Sequence, residues 1–124
     1  MENKTRLTPE QLEAALGGFI GPEHWFRTHP NVLITEGVKF LCDQAQCYWL
    51  IDCIASYQTI PRVVREEFQM MELTVDLEQY TGIIVVTDGN DNELFRQDLE
   101  YTNFPLPRVK LYYTDQTVLL PREY

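Results

Sequence analysis

The stretch that decides the fold is residues 71–101, MELTVDLEQYTGIIVVTDGNDNELFRQDLEY. Apolar and polar side chains alternate over residues 71–78, which is typical of a strand with one face in water. Residues 83–86, IIVV, predict a central strand, and the Asp, Gly and Asn cluster at residues 88–92 predicts a turn. Residues 93–101 then return as a third strand, so the stretch predicts an antiparallel β meander.

On the N-terminal side of this stretch, the hydrophobic period becomes that of helices. Thr8, followed by Pro9 and Gln11, has the pattern of an N-cap with a capping box and predicts the start of a first helix. Thr35 can cap a second helix that has one apolar face. Residues 47–58, CYWLIDCIASYQ, are apolar almost all round and predict a central helix packed on several sides.

The remaining segments complete the predicted fold. Residues 109–114 and 117–120 read as two short strands around a turn, whereas residues 21–30 read as an irregular or extended connector. Helices followed by antiparallel strands predict the α+β class, with N-terminal helices packed on a C-terminal antiparallel meander of about five strands. The length of the chain favours a single domain over residues 1–124.

The whole net charge of the chain lies in the predicted meander. Residues 66–100 contain ten acidic residues and one base, Arg96, so their charge is 1 − 10 = −9, while the other residues hold nine acids and nine bases. Such a surface predicts a protein partner with a basic surface. The scattered bases argue against nucleic acid as a direct ligand, because phosphate contacts need clustered Lys and Arg.

A loop of four residues, 89–92, would determine the register of the second and third meander strands. The predicted pairs are Val86 with Phe95 and Ile84 with Gln97 on one face, and Val85 with Arg96 and Ile83 with Asp98 on the other. Ile83 and Val85 would then form an apolar centre within an acidic rim, and we expect a second copy of the chain, a partner or the first helix to cover them. The predicted partner-binding residues are Glu72, Asp76, Glu78, Ile83, Val85, Asp98 and Glu100.

Apolar runs and cysteine usage indicate the compartment. Residues 1–6 lack the apolar core of a signal peptide, and the longest apolar run, residues 47–51, is too short to span a bilayer. We therefore expect a soluble cytoplasmic protein that does not bind membranes. Cys42, Cys47 and Cys53 are odd in number and lack C-x-x-C spacing, which favours reduced core thiols over disulfides.

Candidate metal ligands have no recognised spacing. His24 and His29 are separated by four residues of the predicted connector, and the cysteines are five and six residues apart, which matches no tight zinc chelate. Residues 88–93, DGNDNE, contain the oxygen ligands of a calcium loop but join two predicted strands, so a hairpin turn explains them. We expect no metal site and no cofactor.

Asp52 is the one acidic residue in the predicted central helix. A carboxylate on an apolar helix is costly unless it is paired, and Tyr48, Ser56 or a base from elsewhere could pair with it. The alternative is a raised pKa and an acid or base role with His24 or His29. We favour structural pairing, and we therefore expect Asp52→Asn to be tolerated far better than Asp52→Leu.

Two interpretations remain open for the aromatic residues of the connector. Trp25, Arg27 and His29 have the composition of a ligand or partner site, since exposed aromatic residues with Arg are common in binding hot spots. Trp25 and Phe26 could instead plug one end of the core. We favour the plug, because large aromatic side chains bury when they can.

Several blocks of the sequence resemble a known family. They are residues 35–41 (TEGVKFL), 48–52 (YWLID), 54–58 (IASYQ), 88–90 (DGN), 101–106 (YTNFPL) and 119–124 (LLPREY). Together they are similar to a family of small bacterial proteins known only as a domain of unknown function and often found on plasmids and other mobile elements. The resemblance implies one domain and a bacterial origin, and it supplies no catalytic residues. Alanine often stands in that family where Cys47 and Cys53 stand here, which argues against a thiol mechanism.

Three functions are compatible with these observations. The first is a non-enzymatic interaction module that docks a basic partner through its acidic sheet face. The second is a nucleic-acid mimic that inhibits a DNA-binding or defence protein, which requires carboxylates spaced like phosphates. The third is a small enzyme that uses Asp52 with His24 or His29, which requires these groups to converge in space. We expect the first, and thus no catalytic residues.

Overall fold

A computed structural model describes residues 7–124 of the protein. Residues 1–6, on which part of the cytoplasmic prediction rests, lie outside the described residues. The elements in chain order are α1 (Pro9–Leu16), β1 (Trp25–His29), β2 (Val32–Thr35), α2 (Glu36–Ala45), α3 (Tyr48–Tyr57), α4 (Pro61–Val64), β3 (Phe68–Asp76), β4 (Thr81–Thr87), β5 (Glu93–Leu99), β6 (Arg108–Thr114), β7 (Thr117–Leu119) and a final 3₁₀ turn (Pro121–Glu123).

The strands form one seven-stranded mixed sheet in the order β1-β2-β7-β6-β3-β4-β5. The α+β class is confirmed, and β3 to β7 are the five predicted antiparallel strands. The predicted architecture is incomplete, however, because β1 and β2 extend the sheet and β2 pairs with β7 in parallel. β2 is only four residues long, and its last residue is the N-cap of α2. The segment is therefore too short to show the alternation of apolar and polar residues by which a strand is recognised.

The predicted register of the meander is confirmed. The pairs between β4 and β5 are Ile83 with Asp98, Ile84 with Gln97, Val85 with Arg96 and Val86 with Phe95. The predicted loop is one residue too short, because Thr87 pairs with Glu93 and residues 88–92 lie between the strands. Leu94 is the extra residue of a bulge in β5, which keeps the predicted pairs beyond it. The two faces of the meander are therefore those that the sequence predicts.

The helices of residues 7–124 pack on one face of this sheet, and none of them covers the other face. On β4 the buried residues are Gly82, Ile84 and Val86. Ile84 and Val86 join the helices in one hydrophobic core, whereas Ile83 is 37% exposed. The first helix packs against α2. The expectation that it could cover Ile83 and Val85 is therefore wrong. Within residues 7–124, no helix has the length and apolar composition needed to cross a membrane.

Helix α3 is amphipathic rather than packed on several sides. The stacked residues Tyr48, Asp52 and Ser56 form an exposed stripe, while Leu50 and Ile54 are buried. At its C-terminal end, the buried amide of Gln58 exchanges reciprocal hydrogen bonds of 2.8 and 2.9 Å with Gln69 of β3. This amide pair satisfies two polar side chains that would otherwise be costly to bury.

The C-terminal segment joins the start of α2 through a buried carboxylate. Glu123 accepts hydrogen bonds from the Thr35 hydroxyl, the Gly37 N–H and the Leu120 N–H. A Cβ at Gly37 would lie 2.6 Å from Leu120 Cδ1 and 2.8 Å from Glu123 Oε2, so any larger residue would have to displace these two side chains. We call Thr35, Gly37, Leu120 and Glu123 the tail lock. It brings together two of the sequence blocks that carry the family resemblance.

Candidate functional site

The predicted partner-binding residues lie on the helix-free face of β3, β4 and β5 or at one end of it. Val85 lies between Glu72 on β3 and Arg96 on β5, and Ile83 lies between Thr74 and Asp98. Ile83 and Val85 thus form an apolar centre, in which Val85 has a charged residue on both sides and Ile83 has one on the β5 side. The structure brings Glu72, Ile83, Val85 and Asp98 together as the sequence predicts.

The other three predicted acids lie at the β3–β4 turn end of this face. Asp76 ends β3, Glu78 lies in the turn and Glu100 follows β5 directly. Asp76 Oδ1 accepts hydrogen bonds of 3.0 and 3.1 Å from the N–H groups of Glu78 and Gln79, so this carboxylate orders the turn. Since Asp76 pairs with Thr81 and Leu99 pairs with Gly82, the two strand ends are neighbours.

Sequence reasoning missed a pair of exposed tyrosines at this end. Tyr80 and Tyr101 stack with ring centroids 6.1 Å apart and an interplanar angle of 26°, yet they remain 53% and 69% exposed. Tyr80 has a φ of 60°, and backbone hydrogen bonds to Asp76 and from Thr102 hold it there. The available signal was an aromatic residue shortly after each acidic segment, with Tyr80 after Asp76 and Glu78 and Tyr101 after Asp98 and Glu100. We call the set Asp76, Leu77, Glu78, Tyr80, Asp98, Glu100 and Tyr101 the acidic tip.

Sequence reasoning also missed the bases on the same face. Strand β6 lies beside β3 and places Lys110 opposite Glu72 and Arg108 opposite Thr74, with Arg108 Nε 3.4 Å from Glu72 Oε2. On β5, Arg96 forms a 2.8 Å ion pair with Glu93, and this hydrogen bond lowers the pKa of Glu93. Positive charges therefore balance the middle of the face, and the excess of carboxylates is greatest at the acidic tip.

Asp52 of α3 pairs with a base from another element, His29 of β1, which is one of the pairings that the sequence predicts. His29 Nε2 lies 2.9 Å from Asp52 Oδ1, and His29 Nδ1 lies 2.9 Å from the Thr28 hydroxyl. The premise of burial is wrong, however, because the Asp52 side chain is 71% exposed. Asp52 and His29 line an open groove of about 360 Å³ that Ser56 and Asn31 also border.

The other predicted partners of Asp52 bond elsewhere. The Tyr48 hydroxyl donates to Asp43, and the Ser56 hydroxyl donates to the Cys53 carbonyl oxygen. His24 is exposed in the segment before β1 and does not line the groove. Of the two predicted histidines, only His29 meets Asp52.

The residues around Trp25 do not form the predicted plug or a common ligand site. Trp25 is 51% exposed and Phe26 is also exposed, since both lie on the edge strand β1. Arg27 Nη1 donates a 2.6 Å hydrogen bond to the Pro30 carbonyl oxygen and thereby closes the β1–β2 turn. A register shift between Arg27 and His29 redirects the histidine toward α3, so these residues do not converge.

The cysteines have no features of a reactive site. All three are free, with Cys42 and Cys47 buried and Cys53 half-buried. Hydrogen bonding with Cys42 and burial raise the pKa of the Cys47 thiol, and burial raises that of Cys53. Protonated thiols are poor nucleophiles and poor metal ligands. In the part of the chain that the structure describes, no three His, Cys, Asp or Glu side chains cluster as metal ligands would.

The calcium-like sequence at the β4–β5 turn is a hairpin loop organised by one carboxylate. Asp88 accepts hydrogen bonds from the Asn90 and Asn92 N–H groups and from the Asn92 side-chain amide. The Asn92 side chain, followed by the Asn90 N–H, lowers the pKa of Asp88. Gly89 and Asp91 take positive φ values of 89° and 68°. The loop thus uses its oxygen ligands for its own conformation.

Comparison with known proteins identifies a family but no function. Neither the curated proteins nor the solved structures give a significant match to the chain. A family model described as a family of unknown function, DUF6876, matches residues 10–124. This span contains the tail lock, the acidic tip and every strand of the sheet. The chain therefore belongs to the DUF6876 family.

Proposed function

We propose that the protein is a non-enzymatic interaction module that binds a basic protein surface through its acidic tip and the adjoining apolar residues. The observation that supports this proposal best is the exposure of the stacked pair Tyr80 and Tyr101. Aromatic side chains usually bury, and exposed tyrosines are enriched at the energetic centres of interfaces. Leu77 and Ile83 add exposed apolar area near the pair.

The charge of the acidic tip specifies the partner. Its four carboxylates, Asp76, Glu78, Asp98 and Glu100, each lie within four residues of one of the tyrosines in the chain. Lys110 and Arg96 lie further along the strands, and Arg108 lies in the same row as Asp98 but three strands away. A concentration of negative charge steers a basic partner and fixes its orientation. The apolar and aromatic centre then supplies affinity that the exposed charges alone lack.

The experiment is affinity capture from a bacterial lysate, since the sequence resemblance implies a bacterial origin. The capture compares the wild type with Tyr101→Ala and with the double variant Asp98→Asn/Glu100→Gln. Glu10→Gln/Glu13→Gln on α1 is the matched control, because these acids are exposed outside the acidic tip. We expect a captured protein that both tip variants and high salt release but the control retains. A protein captured equally by all variants would contradict the proposal.

The same surface favours a nucleic-acid mimic less. A mimic needs carboxylates that repeat like phosphates along one surface, but Arg96, Arg108 and Lys110 interrupt the row on this face. If the captured partner binds DNA and DNA competes with the protein for it, the mimic becomes the better interpretation.

One observation favours the enzyme alternative, namely the chain of contacts from Asp52 through His29 to Thr28. A carboxylate that orients an imidazole is a common feature of acid–base sites. Hydrolysis of an activated ester such as p-nitrophenyl acetate can be measured with the wild type, His29→Gln and the control His24→Gln. An enzyme would lose turnover only with His29→Gln, whereas the interaction module would have equal, background rates in all three.

A further inference from the structure

Strand β5 forms an open edge of the sheet. It is the last strand in the sheet order, and within residues 7–124 no strand pairs with its outer side. Its helix-facing side chains extend the core to this edge, because Phe95 and Leu99 are half-buried and Phe95 packs 5.1 Å from the ring of Tyr57. An open edge of this kind can pair with another strand through its free backbone groups.

The two ends of β5 limit the part that is free to pair. At one end, the bulge next to Glu93 disrupts the strand and Arg62 Nε donates a 2.7 Å hydrogen bond to the Leu94 carbonyl oxygen. At the other end, the strand stops at Leu99. The free segment is therefore residues 95–99, and its middle residue is Gln97. An isologous pair of two such segments is antiparallel, and it is centred on Gln97 when all five residues of both segments pair.

We propose that two copies of the chain associate through this edge, with β5 of each copy paired antiparallel about Gln97. The geometric register and the side-chain chemistry agree independently. Arg96 of each copy then lies opposite Asp98 of the other, so two ion pairs form on the helix-free face. On the helix side, Phe95 of each copy lies opposite Leu99 of the other, which completes the burial of both.

The order of charges along β5 favours pairing with a second copy and differs from the charge patterns that protect edge strands against self-association. Natural edge strands often carry charges that prevent self-association, and such edges repel a copy of themselves. The order Arg96-Gln97-Asp98 instead reverses its signs about the middle residue and matches its own copy. The ion pair of Arg96 with Glu93 is exposed and separated by three residues, so it contributes little and does not prevent Arg96 from meeting Asp98.

This association extends beyond the proposed function and does not depend on it. The basic partner is bound by the exposed tyrosines of the acidic tip, whereas the second copy is bound by the backbone edge of β5, so the two surfaces share only Asp98. Pairing joins the two sheets into one and places both Ile83 side chains on the same continuous face. Tyr101→Ala should therefore weaken partner capture without changing self-association.

The main test is sedimentation velocity of charge-reversal variants over a range of concentrations. Five paired residues per chain bury less surface than the roughly 1,200 Å² at the lower end of standard protein interfaces. We therefore expect a micromolar dissociation constant for the wild-type dimer. Arg96→Asp or Asp98→Arg alone places like charges opposite each other and should raise that constant at least about tenfold. The double variant Arg96→Asp/Asp98→Arg restores opposite charges and should return to within about threefold of the wild type.

Glu13→Arg is the control for charge, since it makes the same change as Asp98→Arg on an exposed face of α1. It should leave the dissociation constant unchanged. A wild type that stays monomeric at hundreds of micromolar, or a double variant that dimerises no better than the single ones, would overturn the proposal.

A cross-link tests the register without altering either charge. Gln97→Cys, in a Cys53→Ala background, places two thiols opposite each other at the centre of the pairing, where mild oxidation should link the chains. Leu99→Cys in the same background keeps both charges, faces position 95 of the other copy and should link at least about tenfold more slowly. Equal rates at the two positions would contradict this register.

Discussion

The tail lock and the acidic tip place carboxylates in opposite environments. Glu123 is buried, and its oxygens accept hydrogen bonds from Thr35, Gly37 and Leu120. The carboxylates of the acidic tip are exposed beside two tyrosines that stack but do not bury. The difference teaches that the lock stabilises the fold, because removing one partner leaves others unpaired. In the tip, only Asp76 accepts hydrogen bonds that order a turn, whereas within residues 7–124 the side chains of Glu78, Asp98 and Glu100 accept none.

The largest expected effect on stability comes from removing the buried carboxylate of the tail lock, compared with removing an exposed carboxylate of the acidic tip. Glu123→Ala leaves buried donors unpaired at the start of α2, and we expect it to lower the free energy of unfolding by about 2–4 kcal/mol. Glu78→Ala in the acidic tip is the matched control and should change it by less than about 0.5 kcal/mol. Urea denaturation measures both. Similar losses for the two variants would remove the distinction between lock and tip.

The next largest effect concerns the buried amide pair of Gln58 and Gln69. Gln79, an exposed glutamine in the turn of the acidic tip, provides the matched control. Gln69→Leu leaves the amide of Gln58 without its reciprocal partner, and we expect a loss of about 1–3 kcal/mol in the free energy of unfolding. Gln79→Leu changes an exposed side chain and should have little effect. A loss for Gln69→Leu no greater than for Gln79→Leu would argue against a satisfied buried pair.

Asp52 belongs with the exposed carboxylates, and this reverses the expectation from sequence. Because its side chain is exposed and its ion pair with His29 lies at the surface, Asp52→Asn and Asp52→Leu should each cost less than about 1 kcal/mol. Thermal melts of both variants measure this. If Asp52→Leu alone is strongly destabilising, the sequence-based interpretation of a structurally paired carboxylate was correct after all.

The smallest effect is the pH dependence of the hairpin loop. Hydrogen bonds from Asn92 and Asn90 lower the pKa of Asp88 in the folded state. The stabilisation is therefore present above the unfolded pKa of the carboxyl group and is lost as the pH falls through the lowered folded value. The difference in stability between the wild type and Asp88→Asn should accordingly shrink on acidification. Equilibrium unfolding at neutral and acidic pH measures it, and a difference independent of pH would contradict this assignment.

Local sequence patterns predict most of the helices and strands but few of the contacts between them. The capping box at Thr8, the cap at Thr35 and the alternation along β3 are correctly predicted because each depends on residues within one turn or one strand. The register of β4 on β5 follows from a short loop for the same reason. The solvent-facing stripe of α3 could also have been predicted from the spacing of its polar residues.

The candidate sites depended on longer-range contacts. No local pattern places Lys110 and Arg108 beside the acids of β3, because the pairing of β3 with β6 spans the whole meander. The same holds for His29 and Asp52, and the extent of exposure of Asp52 depends on how α3 lies on the sheet. Sequence reasoning therefore identified the acidic face but misjudged its balance of charge.

The sequence by itself determined the α+β class, the register of the meander and the acidic character of its surface, since these follow from hydrophobic period, turn chemistry and composition. Only the tertiary structure decided that β1 and β2 join the sheet, that Glu123 caps α2, and that Tyr80 stacks on Tyr101 in solvent. The physical reason is that each of these contacts joins residues far apart in the chain, and its stability depends on packing and burial that no short segment encodes.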